Sequence, residues 1–343
     1  MARRGCRLLF LVSPTKTLDE SPLPDAIASR MTQRIFSHET ESLVREIKTL
    51  SKAKLSKVFK GVSDRIVALN HGRYVAWATQ PEKCAAYAFD GPAFRGLRFA
   101  ELDDAAADWA QERFRILSGL FGLLRPLDAV KPYRLEMGSK MPLALTDAEE
   151  QPDASPTTLY NFWGDKICDN ILAELDPQGP RIVLNLASQE YWKAAREARL
   201  IAEGARVVHC RFCEPSGRVI SVYAKRARGM MARFLIDARA EAVADATAFV
   251  GYDEMETYAF SKQMTTESEL VFVRRASAPK AKPAKKKKAA PKAATKGKAA
   301  KGKGKRKGKA EVKSEVPKSA PKRKAATGAA RSARLKRARK ADA

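Results

Sequence analysis

No apolar run in this chain approaches the roughly 20 residues that cross a bilayer. The opening MARRGCRLLFLVSP is rich in arginine, but its apolar run is five residues long and no small-residue cleavage site follows it. Neither a membrane span nor a secretory leader is expected, so no membrane partner is either. Histidine is scarce, with three in 343 residues (His38, His71, His209), and no HExxH, GxSxG or GxGxxG pattern occurs. Zincin, nucleophile-elbow and dinucleotide chemistries therefore lack their residues. The five cysteines (Cys6, Cys84, Cys168, Cys210, Cys213) are an odd set, which suits reduced thiols in a cytoplasm rather than a disulfide framework. HCRFC at 209–213 gathers three metal-type ligands, yet no second cluster supplies a fourth, so neither a metal nor a cofactor is expected. The alternation of RVVHCRFC, then EPSG, then RVISVYAKR predicts a β-hairpin there.

What is present in excess is positive charge, and it is unevenly placed. Of the 65 basic and 39 acidic residues, 26 and three lie from Ala276 onward. The last 68 residues thus carry +23, while residues 1–275 carry only +3. The tail consists of Lys, Ala, Pro and Gly with no aromatic residue, so it cannot bury enough apolar area to offset its ordering entropy. It is expected to be disordered, to resemble the tails of linker histones and to bind nucleic acid without sequence preference. Neutralising ~8 phosphates would give a slope of log K on log salt of roughly −7. RNA is an alternative partner for this segment. Residues 1–275 are expected to form one globular domain and 276–343 the tail.

Within the domain the pattern is mixed α/β. CRLLFLV near the start, IVLNLAS at 182–188 and ELVFVRR at 269–275 read as strands, the second entering a helix at QEYW. Residues 39–60 and 62–77 carry helical periodicity, and AAYAFDGPAFRGL suggests a strand running into a Gly-Pro turn. Residues 101–118 read as one helix, with acids in its first half and Arg113 and Arg115 near its end, terminated by Gly119 in a left-handed conformation. Pro126 disfavours helix at Arg125, which makes LFGLLRP a compact hairpin or a short helical turn. A glycine-bearing bend presents bare amides, and these can hold one phosphate while Arg and Lys neutralise its neighbours.

Six blocks, LVSPTKTLD (11–19), LSGLFGLLRPLDAVKPYRLEMG (117–138), LYNFWGDKI (159–167), VLNLASQEYWK (183–193), ISVYAKRARGMMARFLI (220–236) and SELVFVRR (268–275), resemble the YaaA family of bacterial peroxide-stress proteins. The resemblance runs in order through nearly all of residues 7–275. It implies a single compact domain of an unusual mixed α/β fold, with a positively charged cleft and a helix-hairpin-helix. It also implies binding of double-stranded and structured DNA, a role in oxidative-stress defence and repair, and a link to limiting free intracellular iron. Carried over position by position, the hairpin falls at Leu117–Asp128, with Gly119 and Gly122 exposing backbone and Arg115, Arg125 and Arg134 as phosphate partners. YAKRARG adds Lys225, Arg226 and Arg228, followed by Arg233, and the turn after the first strand adds Lys16. The histone-like extension departs from common members of the family and divides the expected affinity between cleft and tail.

An enzyme is the rival reading. Asn185, Ser188 and Glu190 stand where a strand meets a helix, a usual place for a ligand in α/β architecture. Asn161, Trp163, Asp165 and Glu136 could complete a pocket that acts on a nucleotide or nucleobase, or all could be internal hydrogen-bonded struts. No pair of them has diagnostic spacing, and no catalytic residue is assigned.

Overall fold

The computed structural model of the chain describes residues 5–141, 157–252 and 256–275. The expected tail, 276–343, lies outside the described residues. One sheet of seven strands organises the rest: β1 (Leu8–Val12), β2 (Phe114–Ser118), β3 (Gly122–Leu124), β4 (Ile182–Leu186), β5 (Arg206–Cys213), β6 (Thr257–Phe260) and β7 (Glu269–Arg275). The spatial order is β6-β7-β5-β4-β1-β2-β3. The five inner strands are parallel, and the two edge strands pair antiparallel with their neighbours.

The sequence dictates this arrangement directly. In β1 (LLFLV), β2 (FRILS) and β4 (IVLNL) every residue is buried, which is the signature of parallel strands covered on both faces. The covering helices are α1 (Ser37–Thr49), α2 (Lys52–Val58), α3 (Asp64–Val75), α4 (Pro92–Leu97), α5 (Asp104–Arg113) and α6 (Ser221–Asp237) among others. The fold is mixed α/β, as the sequence implies.

The chain leaves β1 for β2 on one side and returns to β4 on the other, so the crossovers diverge at the carboxyl ends of β1 and β4. In open α/β sheets this switch point is where ligands bind. Two helices close over it in unusually tight contact. A Cβ on Gly229 of α6 would lie 1.7 Å from the carbonyl oxygen of Ala93 in α4, and one on Gly96 of α4 would lie 2.4 Å from the carbonyl of Arg226. Only hydrogen fits at either position, and the crossing holds the first turns of α6 beside the strand ends.

Several expectations are corrected. ISVYAKR is not the second arm of a hairpin. It begins α6, whose buried Ala224, Ala227, Met231 and Leu235 recur at helical spacing, while β5 pairs in parallel with β4 and β7. The predicted helix 101–118 is α5 followed by β2: the Asp103 side chain caps Ala106 N–H, and FRILS is drawn into the sheet because all five residues are buried there. AAYAFDGPAFRGL forms no strand-to-turn unit but two short helices, Ala85–Ala88 and α4. The helix expected over 39–60 breaks at Leu50, and Ser51 caps α2.

The predicted helix-hairpin-helix is a β-hairpin, β2–β3, inside the sheet. Residues 117–124 are all buried. Gly122, at φ +68°, is the left-handed residue rather than Gly119, and a Cβ on it would meet the Trp163 ring at 2.6 Å. A Cβ on Gly119 would stand 2.5 Å from the Leu135 carbonyl oxygen. Neither glycine offers an amide to solvent, so neither contacts a phosphate as the fold stands.

Candidate functional site

At the switch point the turn after β1 (Ser13, Pro14, Thr15, Lys16), the residues after β4 (Ser188, Glu190, Tyr191), α4 (Pro92, Ala93) and α6 (Lys225, Arg228) enclose a cleft of about 260 Å³. The two turns are tied together: Ser13 Oγ accepts the Ser188 N–H at 2.8 Å and donates to Ser188 Oγ at 3.1 Å. Beside the cleft lies a mixed charge cluster. Glu136, buried on the strip that follows the β2–β3 hairpin, has Lys16 Nζ at 2.8 Å, an Arg134 guanidinium nitrogen at 3.2 Å and Lys60 Nζ at 3.9 Å. Glu190 has Lys60 Nζ at 3.3 Å and accepts the Gly138 N–H at 3.1 Å.

Lys225 and Arg228 stand apart from this pairing. Among the described residues neither has an ion pair or hydrogen-bond partner, and Arg228 Nε is buried without an acceptor. Burial, partly offset by the nearby Cys210 thiol, pulls the Arg228 pKa below its ordinary value. Five cations (Lys16, Lys60, Arg134, Lys225, Arg228) thus face two carboxylates, and the surplus is concentrated on α6. The arrangement suits an anion that brings hydrogen-bond donors with it: oxygens for the guanidinium and ammonium groups, N–H or O–H for Glu190.

Of the residues singled out in the sequence, Lys16, Glu136, Arg134, Ser188, Glu190, Lys225 and Arg228 are brought together here. Arg226, one residue away, is 3.5 Å from Glu256. The others lie elsewhere for identifiable reasons. Arg115 is 3% exposed; its Nε–H donates to Glu174 at 2.7 Å, and its other nitrogens donate to the carbonyls of Gln111, Glu112 and Phe114. It ties the end of α5 to a neighbouring helix and reaches no ligand. Arg125 is fixed on the buried Asp128 and the Gln33 carbonyl, and Arg233 on Asp237 and the Arg98 carbonyl. Trp163 is buried with its indole N–H on the Gly119 carbonyl at 3.0 Å. Asn161 and Asp165 are exposed, the latter near Arg196 and Arg199. Asn185 is a strut: its oxygen accepts the Ala187 N–H and its amide donates to His209 Nδ1, which leaves Nε2–H to donate to Glu197.

Two contributors were missed. Ser13 belongs to a turn whose polar residues give no signal alone. Lys60 was visible as the last of five lysines (Lys48, Lys52, Lys54, Lys57, Lys60) in a stretch without a single acid. A wider groove, about 700 Å³, lies elsewhere, but its cations are paired: Lys83 with Asp19, Arg95 with Asp90 and Arg98 with Glu101. HCRFC holds no metal constellation, since no group of three or more His, Cys, Asp or Glu is so arranged among the described residues. No helix among them is long and apolar enough to cross a membrane. Among protein-family models, that of the peroxide stress protein YaaA matches residues 8–264.

Proposed function

The chain belongs to the peroxide stress protein YaaA family, and from the cleft at its strand ends we propose that it binds double-stranded and structured DNA without sequence preference during the hydrogen peroxide response. Its proposed task is protection of that DNA or assistance in its repair, in association with the nucleoid. One observation carries the reading: Arg228, half-buried and without a counter-ion beside Lys225 at the mouth of the cleft. A desolvated cation without a partner costs several kcal/mol, and a phosphate oxygen would offset that cost. Lys16, Lys60, Lys225 and Arg228 are the proposed contacts, with Arg226 at the flank. Gly119, Gly122, Arg115, Arg125 and Arg233 leave the list, because each is sealed in the interior or held by a neighbour. The basic tail, by its charge alone, adds sequence-independent attraction for DNA or RNA. The iron link is part of the proposal at the level of the family's role; among the described residues no group of three or more His, Cys, Asp or Glu is arranged to hold the metal.

The enzyme reading loses Asn161 and Asp165 to the surface and Asn185 to a strut, and no reaction is assigned. The test is a salt series of fluorescence anisotropy with duplex DNA, on the full chain and on one ending at Arg275. Arg228→Ala should weaken binding about tenfold and make the salt slope shallower by about one; Lys225→Ala adds a further unit. Unchanged affinity and slope in the double variant of both chains would overturn the proposal.

A further inference from the structure

The cleft encloses more space than contact with a phosphate backbone requires. At about 260 Å³ it falls only a little below the roughly 300 Å³ at which small-molecule pockets begin. Part of its lining is apolar: Val12, Pro14, Pro92, Ala93 and Leu186. The cations are graded in depth: Lys16 and Lys225 are exposed, whereas Arg228 is half-buried behind them. Glu190, also in the lining, would repel a passing phosphate, yet it is an acceptor that a base or sugar donor can use. Apolar lining, half-buried cation and carboxylate together describe the three parts of a nucleotide: ring face, phosphate and N–H or O–H edge.

Inside a duplex the ring faces are stacked and the edge is paired, so such a unit must leave the stack to be read. We infer that the cleft takes up one deoxynucleotide swung out of the DNA, its phosphate on Lys225 and Arg228, its ring against Pro92 and Ala93 and a donor of its edge on Glu190. The inference rests on the DNA-binding reading above. The lysines of the α1–α2 corner, Lys48, Lys52, Lys54 and Lys57, are exposed and lead to Lys60 beside Glu190, which provides for the flanking phosphates.

The test uses the full chain and a duplex carrying one central 2-aminopurine opposite thymine. On saturation the 2-aminopurine fluorescence should rise at least threefold, and the orphaned thymine should become reactive to permanganate. A duplex with one unpaired nucleotide should bind about tenfold more tightly than the fully paired one. Ser188→Phe, which fills the cleft and leaves every cation in place, should abolish the fluorescence rise and the permanganate reactivity. Should that variant fold poorly, deoxyguanosine monophosphate is the second probe: it should raise the melting temperature of the unaltered chain, and Arg228→Ala should erase the rise. Arg228-dependent duplex binding with 2-aminopurine still stacked and thymine protected would overturn the inference and leave the DNA-binding reading standing. Binding indifferent to Arg228 would overturn both.

Discussion

Arg115 is buried and Arg228 half-buried, and they differ in their partners. Arg115 spends its donors on Glu174 and three main-chain carbonyls, whereas Arg228 has no acceptor among the described residues. Arg115→Ala should therefore lower stability by about 3 kcal/mol in a denaturant titration, because it strands Glu174 and the end of α5. It should leave the salt slope of DNA binding unchanged. The cysteines show the same logic of burial. All five are buried, and desolvation pushes Cys6 and Cys84 up to about 11 and the remaining three upward. At neutral pH they are thiols rather than thiolates, so hydrogen peroxide and iodoacetamide should leave them unmodified in the native protein and modify all five after denaturation, as mass spectrometry would read. Raised thiol pKa values stabilise the fold fully below the unfolded value near 9, and that contribution is lost as pH rises toward 11. Cys84→Ala should flatten that part of the stability profile.

At the level of elements, the α4–α6 crossing is the most exacting contact. Gly229→Ala drives a methyl into the Ala93 carbonyl, so it should cost about 1–3 kcal/mol and weaken DNA binding by shifting Lys225 and Arg228. Gly72→Ala in α3 is the control: beyond its own helical turn nothing lies within 4 Å of the new methyl, and helix propensity should raise stability by about 0.5–1 kcal/mol. Thermal melts of the two variants give both signs. The elements legible in the sequence were those with one dominant local signal, such as the apolar runs of β1, β4 and β7. The errors arose where tertiary context outweighs local pattern. FRILS continues the helical charge pattern of α5 but is claimed by the sheet, and the β-branched start of ISVYAKR conceals a helix whose small buried residues matter only against α4. The glycine bend read as a phosphate cradle because a buried turn and an exposed one share the same letters; Trp163, 41 positions from Gly122, decides between them.

Over the whole molecule, charge is divided between a nearly neutral domain and a strongly basic tail. A chain ending at Arg275 should keep measurable binding to duplex DNA with a much shallower salt dependence than the full chain. Complete loss would assign the affinity to the tail. Cleft residues were found from the sequence where they clustered, as in YAKRARG and ASQEYW. Their assembly was not, because β1, β4, α2 and α6 meet only through the order of strands in the sheet.

That order has a further consequence at the borders of the sheet. The parallel core ends on both sides in a short reversed strand, and the three residues of β3 are fully buried. Such borders give a neighbouring copy little bare backbone on which to add its own strand. Copies of the chain at high concentration should therefore stay separate rather than join edge to edge into a fibre, as light scattering would read.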